Sequence, residues 1–266
     1  MTLPRFLLCV WCAIWAGSAT AHEFWIEAES YQVETGEELV ANLKNGETFE
    51  GTTLSYFPRD FSRFEIIQNN SVQPVEARLG DRPALNVTVP GDGLVSVVYE
   101  ATPSFVTYRE WEKFTRFADH KDFPNIAARH ASNGFPDVPF KERYTRHAKA
   151  LIAVGAGQGA DRAVGLKTEF VALTNPYDKN FDGTMRVQVL RDGTPRADAQ
   201  VEVFDRPIEG EVTVTLYRTD TDGIAAIPVT AGHTYLFDAV VLEPIKGDDN
   251  AVWDTFWAAL TFAVPG

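Results

Sequence analysis

The sequence predicts a mainly β chain folded as two antiparallel β-sandwich domains with a short helical insert between them. Three observations predict it. Strand-like text fills the stretch after residue 22 and returns after residue 160, turn dipeptides punctuate both stretches at short spacing, and the segment between them changes to a helical period.

The chain opens with a leader. Met1 to Arg5 carries one cation, Phe6 to Ala16 is an unbroken apolar run, and Ala19-Thr20-Ala21 offers small residues where signal peptidase reads them. Residues 1–21 are therefore expected to be a cleaved signal peptide, with the product in the periplasm or secreted and His22 as its first residue. The apolar run is about half of the ~20 residues that span a hydrocarbon core, and no later stretch is longer, so the product is not expected to be embedded in a membrane.

The first sandwich is expected over residues 22–107. Its strands are read at Phe24-Trp25-Ile26, Glu38 to Leu43, Arg63 to Ile67, Ala84 to Val89 and Leu94 to Tyr99, with turns at Asn45-Gly46, Leu79-Gly80-Asp81 and Pro90 to Gly93. The helical insert and linker are expected over residues 108–160. Trp111, Phe114 and Phe117 recur at spacings of three between charged residues, which predicts an amphipathic helix from Tyr108 to His120. A second short helix is expected from Phe123 to His130. The segment from Lys141 to Leu151 suits a helix end or a strand equally by pattern. The second sandwich is expected over residues 161–266, where Asp192-Gly193 and Asp222-Gly223 are hairpin dipeptides between strands.

Composition bounds the chemistry. Both cysteines, Cys9 and Cys12, lie in the leader, so the product has neither disulfides nor thiolate metal ligands. Without Arg5 the product has 23 basic against 37 acidic residues, a net charge of −14. Such a surface repels nucleic acid and anionic lipid. There is no Gly-x-Ser-x-Gly elbow, no phosphate-cradling glycine loop and no His-Glu-x-x-His, and catalysis is not expected.

His22 is the most informative residue. As a first residue it offers an α-amine and an imidazole Nδ1 that together chelate a divalent transition metal such as copper or nickel. Both nitrogens lose their protons readily near neutral pH. A cut after Ala19 would instead place His22 third, where amine, backbone amides and ring surround Cu(II) or Ni(II) in a plane. Among the other histidines, His120 is the best candidate for a further ligand, with Glu23 or Asp119 tuning the charge. His130 suits a helix end, His147 is surrounded by cations, and His233 reads as a hairpin tip. The acidic stretch Asp220-Thr221-Asp222-Gly223 reads as a turn and not as a calcium loop.

Several ordered motifs carry a resemblance: Ala21-His22-Glu23-Phe24-Trp25-Ile26, Arg143 to Leu151, Gly165 to Phe170 leading to Thr174-Asn175-Pro176-Tyr177, Thr221-Asp222-Gly223, and the ending from Trp253 to Phe262. Over essentially the whole chain after the leader they resemble the exported family of domain of unknown function 4198. That family is similar to periplasmic components of cobalt and nickel uptake systems. The resemblance implies a nickel or cobalt ion, with copper next, carried as cargo and presented to a membrane metal permease. His22 is the residue that carries over. The later half also resembles the carboxypeptidase-regulatory type of sandwich, so Ig-like or carboxypeptidase-regulatory-like domains are expected. Two alternatives stay open: a non-catalytic surface or carbohydrate-binding module stacking sugars on Trp25, Trp111, Trp253 or Trp257, and a copper oxidase using the same histidine terminus.

Overall fold

The computed structural model describes residues 22–247 and 250–266; the expected leader lies outside them. The first half contributes β1 (Glu23–Ala28), β2 (Gln32–Val33), β3 (Glu38–Glu47), β4 (Glu50–Leu54), β5 (Phe61–Gln68), β6 (Ser71–Pro74), β7 (Leu85–Thr88), β8 (Gly93–Ala101) and β9 (Ser104–Tyr108). Two helices follow, α1 (Trp111–His120) and α2 (Ile126–Ser132). The remainder is β10 (Phe140–Val154), β11 (Thr168–Ala172), β12 (Thr184–Arg191), β13 (Thr194–Pro195), β14 (Gln200–Arg206), β15 (Thr213–Arg218), β16 (Ile224–Pro228), β17 (Thr234–Pro244) and β18 (Trp253–Ala263). The chain is mainly β, as its alternating text predicts, and among the described residues no helix is long and apolar enough to cross a membrane.

One large sheet organises the molecule. Its main path runs β15-β14-β17-β18-β10-β8-β5-β6, with β2 and β9 joining β10. Two small sheets, β4-β3-β1 with β7 and β11-β12-β13 with β16, pack on it. Alternation along the strands separates the two faces. On one face, Tyr99 meets Phe24 of β1 with ring centroids 4.8 Å apart, and Thr261 donates to the Ile26 carbonyl. On the other, Phe237 meets Phe170 of β11 and Lys149 reaches the Phe170 carbonyl. The two small sheets thus cover opposite faces, and the result is two sandwiches that share a sheet.

The shared strand is β10. It pairs in parallel with β18 of the second half and antiparallel with β8 and β9 of the first. The expected insert at 108–160 is therefore helical only from Trp111 to Ser132, and its last part is the central strand of the fold. Pattern alone left this segment open because Phe140–Val154 mixes buried charges with apolar residues. The structure explains them: Glu142, His147 and Lys149 are all buried and each has a dedicated partner or neighbour.

Another difference lies in the β3–β4 hairpin. Asn45-Gly46 sits inside β3, and the turn falls two residues later at Thr48 and Phe49, with φ of 51° and 61°. Left-handed backbone at two non-glycine residues is unfavourable. Phe49 compensates by burying its ring against Trp25 and under the Arg206 guanidinium, 4.1 Å from the ring centre.

The helices close the lower part of the face that carries the first small sheet. Phe114, Phe117, Phe123 and Ile126 pack with Phe140, Val240, Trp253 and Trp257 in a separate aromatic cluster. His130 belongs to this core. It accepts the Trp253 indole N–H at Nδ1, 3.0 Å away, while Nε2 faces the Pro136 carbonyl at 2.8 Å, so its proton sits on Nε2.

Glu142 lies beneath the same cluster and takes hydrogen bonds from the Tyr108 and Thr255 hydroxyls. Burial pushes its carboxyl up to about 7. A carboxyl raised on folding contributes stability that is complete below its unfolded value near 4.5 and is lost as pH rises through 7. The urea midpoint is accordingly expected to fall between pH 5.5 and pH 8, and Glu142→Gln to remove part of that fall. An unchanged pH dependence in the variant would refute the assignment.

Candidate functional site

The start of β1 lies over the large sheet with one edge unpaired among the described residues, and side chains satisfy that edge. Arg146 donates to the His22 carbonyl at 2.8 Å and Thr261 to that of Ile26. These bonds fix the backbone of His22. Its ring faces Glu47, the last residue of β3, with Nε2 3.3 Å from the carboxylate. The two side chains are 53% and 44% exposed, so the pair is open to solvent. Nε2 is the ring nitrogen that meets Glu47, and Nδ1 lies on the other side of the ring. The unusual hairpin turn follows immediately after Glu47.

Glu23 points to the opposite side of β1 and is buried. There it meets Glu202 of β14 and Asp238 of β17, the three carboxylates lying within 4.8 Å of one another. The centre of the triad is the Lys121 ammonium, 3.2 Å from Glu23, 2.9 Å from Glu202 and 3.1 Å from Asp238, and 4.7 Å from the Trp257 ring centre. Lys121 caps α1, so one side chain ties the helix to both sheets. Burial opposes its charge, yet Asp238, Glu202 and Glu23 outweigh burial and raise the ammonium above its usual value. Burial raises Asp238 to about 7 and also raises Glu23. Glu202 resists the same burial because His120 and Lys121 stabilise its anion, and its carboxyl is lowered.

The predicted ligands divide accordingly. His120 comes within 3.5 Å of Glu202, and that contact raises its imidazole. A raised imidazole holds a proton that a metal must displace. Glu23 and His120 thus share Glu202, and a lysine takes the central position among the carboxylates. Asp119 is exposed on α1. His22 stands apart with Glu47. His147 is buried, with Nδ1 3.0 Å from the Trp257 carbonyl, and burial holds its ring down at about 4, hence neutral. His233 pairs with Asp205 at 2.6 Å. Asp220 accepts the Asp222 and Ile224 amides, which makes the acidic stretch a turn.

The sequence reading missed Glu47, Lys121, Glu202 and Asp238. The last two do leave a signal, a single charge inside an apolar strand, as in Val201-Glu202-Val203 and Phe237-Asp238-Ala239. Such a charge needs a partner. The sugar-stacking alternative loses its platform, since Trp25, Trp253 and Trp257 are buried and Trp111 is half-buried against Phe114 and His130.

The family described as Domain of unknown function (DUF4198) matches residues 19–243. The chain belongs to the DUF4198 family. No curated protein matches this DUF4198 chain. Solved structures similar to it include a tetra-tandem repeat from the extending region of a large adhesion protein, with 12% identity, 91% of this chain and 49% of that one covered, and a TM-score of 0.24. The D0-D1 domain of intimin has 11% identity, covers 90% and 97%, and scores 0.24. An Escherichia coli alpha-2-macroglobulin has 11% identity, covers 92% and 20%, and scores 0.23. The DUF4198 chain thus spans about half the length of the first of these.

Proposed function

We propose that this DUF4198 protein is exported and captures a divalent transition-metal ion at its processed terminus, nickel or cobalt first and copper next, for delivery to a membrane permease. The observation that carries the reading is the solvent-open contact of His22 Nε2 with Glu47. A histidine that ligates metal is typically oriented by a carboxylate on its other ring nitrogen, and loss of that partner costs about 10–100-fold in affinity. Here Glu47 takes that place and leaves Nδ1 beside the α-amine, the pair that closes a chelate ring. Two donors from one residue leave coordination positions vacant for a second protein, which suits hand-over more than storage. The buried triad is a poorer metal site, because Lys121 already neutralises it from within.

The test is calorimetric titration of the processed protein with Ni(II), Co(II) and Cu(II). One extra residue ahead of His22, and separately His22→Ala, are expected to abolish tight binding, while Glu47→Gln weakens it about 10–100-fold. Equal affinity in all four proteins would overturn the reading. Turnover of ascorbate and oxygen by the copper form would move it to an oxidase.

A further inference from the structure

The large sheet ends at β15, whose only ladder among the described residues is with β14. Exposed strand edges are normally protected by proline, charge or a covering segment. The opposite margin, β6, ends in Pro74, and β13 and β16 end in Pro195 and Pro228. β15 reads Thr213-Val214-Thr215-Leu216-Tyr217-Arg218, has no proline, and its one charge is engaged by Asp122 and Asp198. Val214 and Leu216, two positions apart on one face of the strand, are 46% and 59% exposed.

We infer that β15 pairs antiparallel with β15 of a second copy about a two-fold axis through Thr215. Directly opposed residues of an antiparallel pair share a face, so only registers matching residues of the same parity keep the sheet continuous. Centred on Thr215, the ladder sets Thr213 against the second copy's Tyr217, Thr215 against its equivalent, and Val214 against the second copy's Leu216, twice. Threonine pairs and apolar pairs of this kind are favourable, and no like charges meet. Centring on Leu216 instead opposes Val214 to Arg218, and centring on Val214 shortens the ladder to three residues. The strand is thus complementary to itself in one register, which points to a second copy and not to an unrelated extended peptide. An interface of this kind is isologous and closed.

The processed protein contains no cysteine, so a single introduced one reports the register. Thr215→Cys is expected to form a disulfide-linked dimer on mild oxidation, because opposed β-carbons lie about 4.5–5.5 Å apart. Thr213→Cys is expected not to, since its equivalents would be about 13 Å apart at ~3.3 Å per residue. Adding Leu216→Lys to Thr215→Cys is expected to suppress the crosslink while leaving the circular dichroism and melting temperature unchanged. No crosslink at position 215, equal crosslinking at 213 and 215, or a crosslink indifferent to Leu216→Lys would each overturn the inference. An extended peptide that binds a monomeric wild-type protein and is blocked by Leu216→Lys would do so too, by assigning the edge to another occupant.

Discussion

Lys121→Met is expected to destabilise the protein by about 3–5 kcal/mol, the usual cost of removing one partner from a buried ion pair. The lysine neutralises three carboxylates contributed by β1, β14 and β17, and methionine matches its stem while removing that charge. The remaining anions would then either stay charged and unpaired or take up protons. Asp238, already raised to about 7, is the first to do so. The deficit of the variant relative to wild type is therefore expected to be largest at pH 8 and to shrink towards pH 5.5. Chemical unfolding at the two pH values measures both. A deficit under about 1 kcal/mol at pH 8 would mean that the triad is hydrated and not a lock. Loss of α1 from the sheet should appear first as increased exposure of Trp257, on whose face the ammonium rests.

Lys149→Met is expected to cost a similar amount, about 3–5 kcal/mol, by opening the other face of the large sheet. Lys149 contacts Asp161 at 3.2 Å and Glu169 at 3.0 Å and donates to the Arg162 and Phe170 carbonyls. The two carboxylates hold the connection between β10 and β11 in place: Asp161 accepts from Ser96 and Ala172, and Glu169 from the Val164 and Gly165 amides. Removal of the lysine leaves two buried anions and two carbonyls short of a partner. Hydrogen exchange is expected to accelerate in residues 160–172 before it does in β3 or β5. Uniform acceleration across the chain would show that Lys149 supports the whole core and not this connection.

The two lysines also mark what pattern reading recovers. The strands of both halves follow from apolar alternation and from turn chemistry, and α1 follows from the spacing of Trp111, Phe114 and Phe117. Asn45-Gly46 misled because local turn preference was overridden by the burial of Phe49, a tertiary term. Phe140–Val154 was ambiguous for a related reason. Two of its charges, Glu142 and Lys149, face inward, and they fit a strand only once Tyr108, Asp161 and Glu169 are known to await them. His22 was legible as a candidate chelator from its place after the leader-like segment, whereas Glu47, 25 residues away, has no sequence cue that links it to His22.

By itself the sequence determined the β class, the helical segment, the absence of cysteine outside the leader-like segment and the distinctive histidine, because each is written in local composition or short-range period. Only the tertiary structure decided that one sheet runs through both halves, that Glu23 turns inward to a lysine while His22 faces Glu47, and that β15 is left as an open margin. Those outcomes depend on strand order and on which face each small sheet covers. Both are set by contacts between residues tens to more than two hundred positions apart, and local pattern does not encode them.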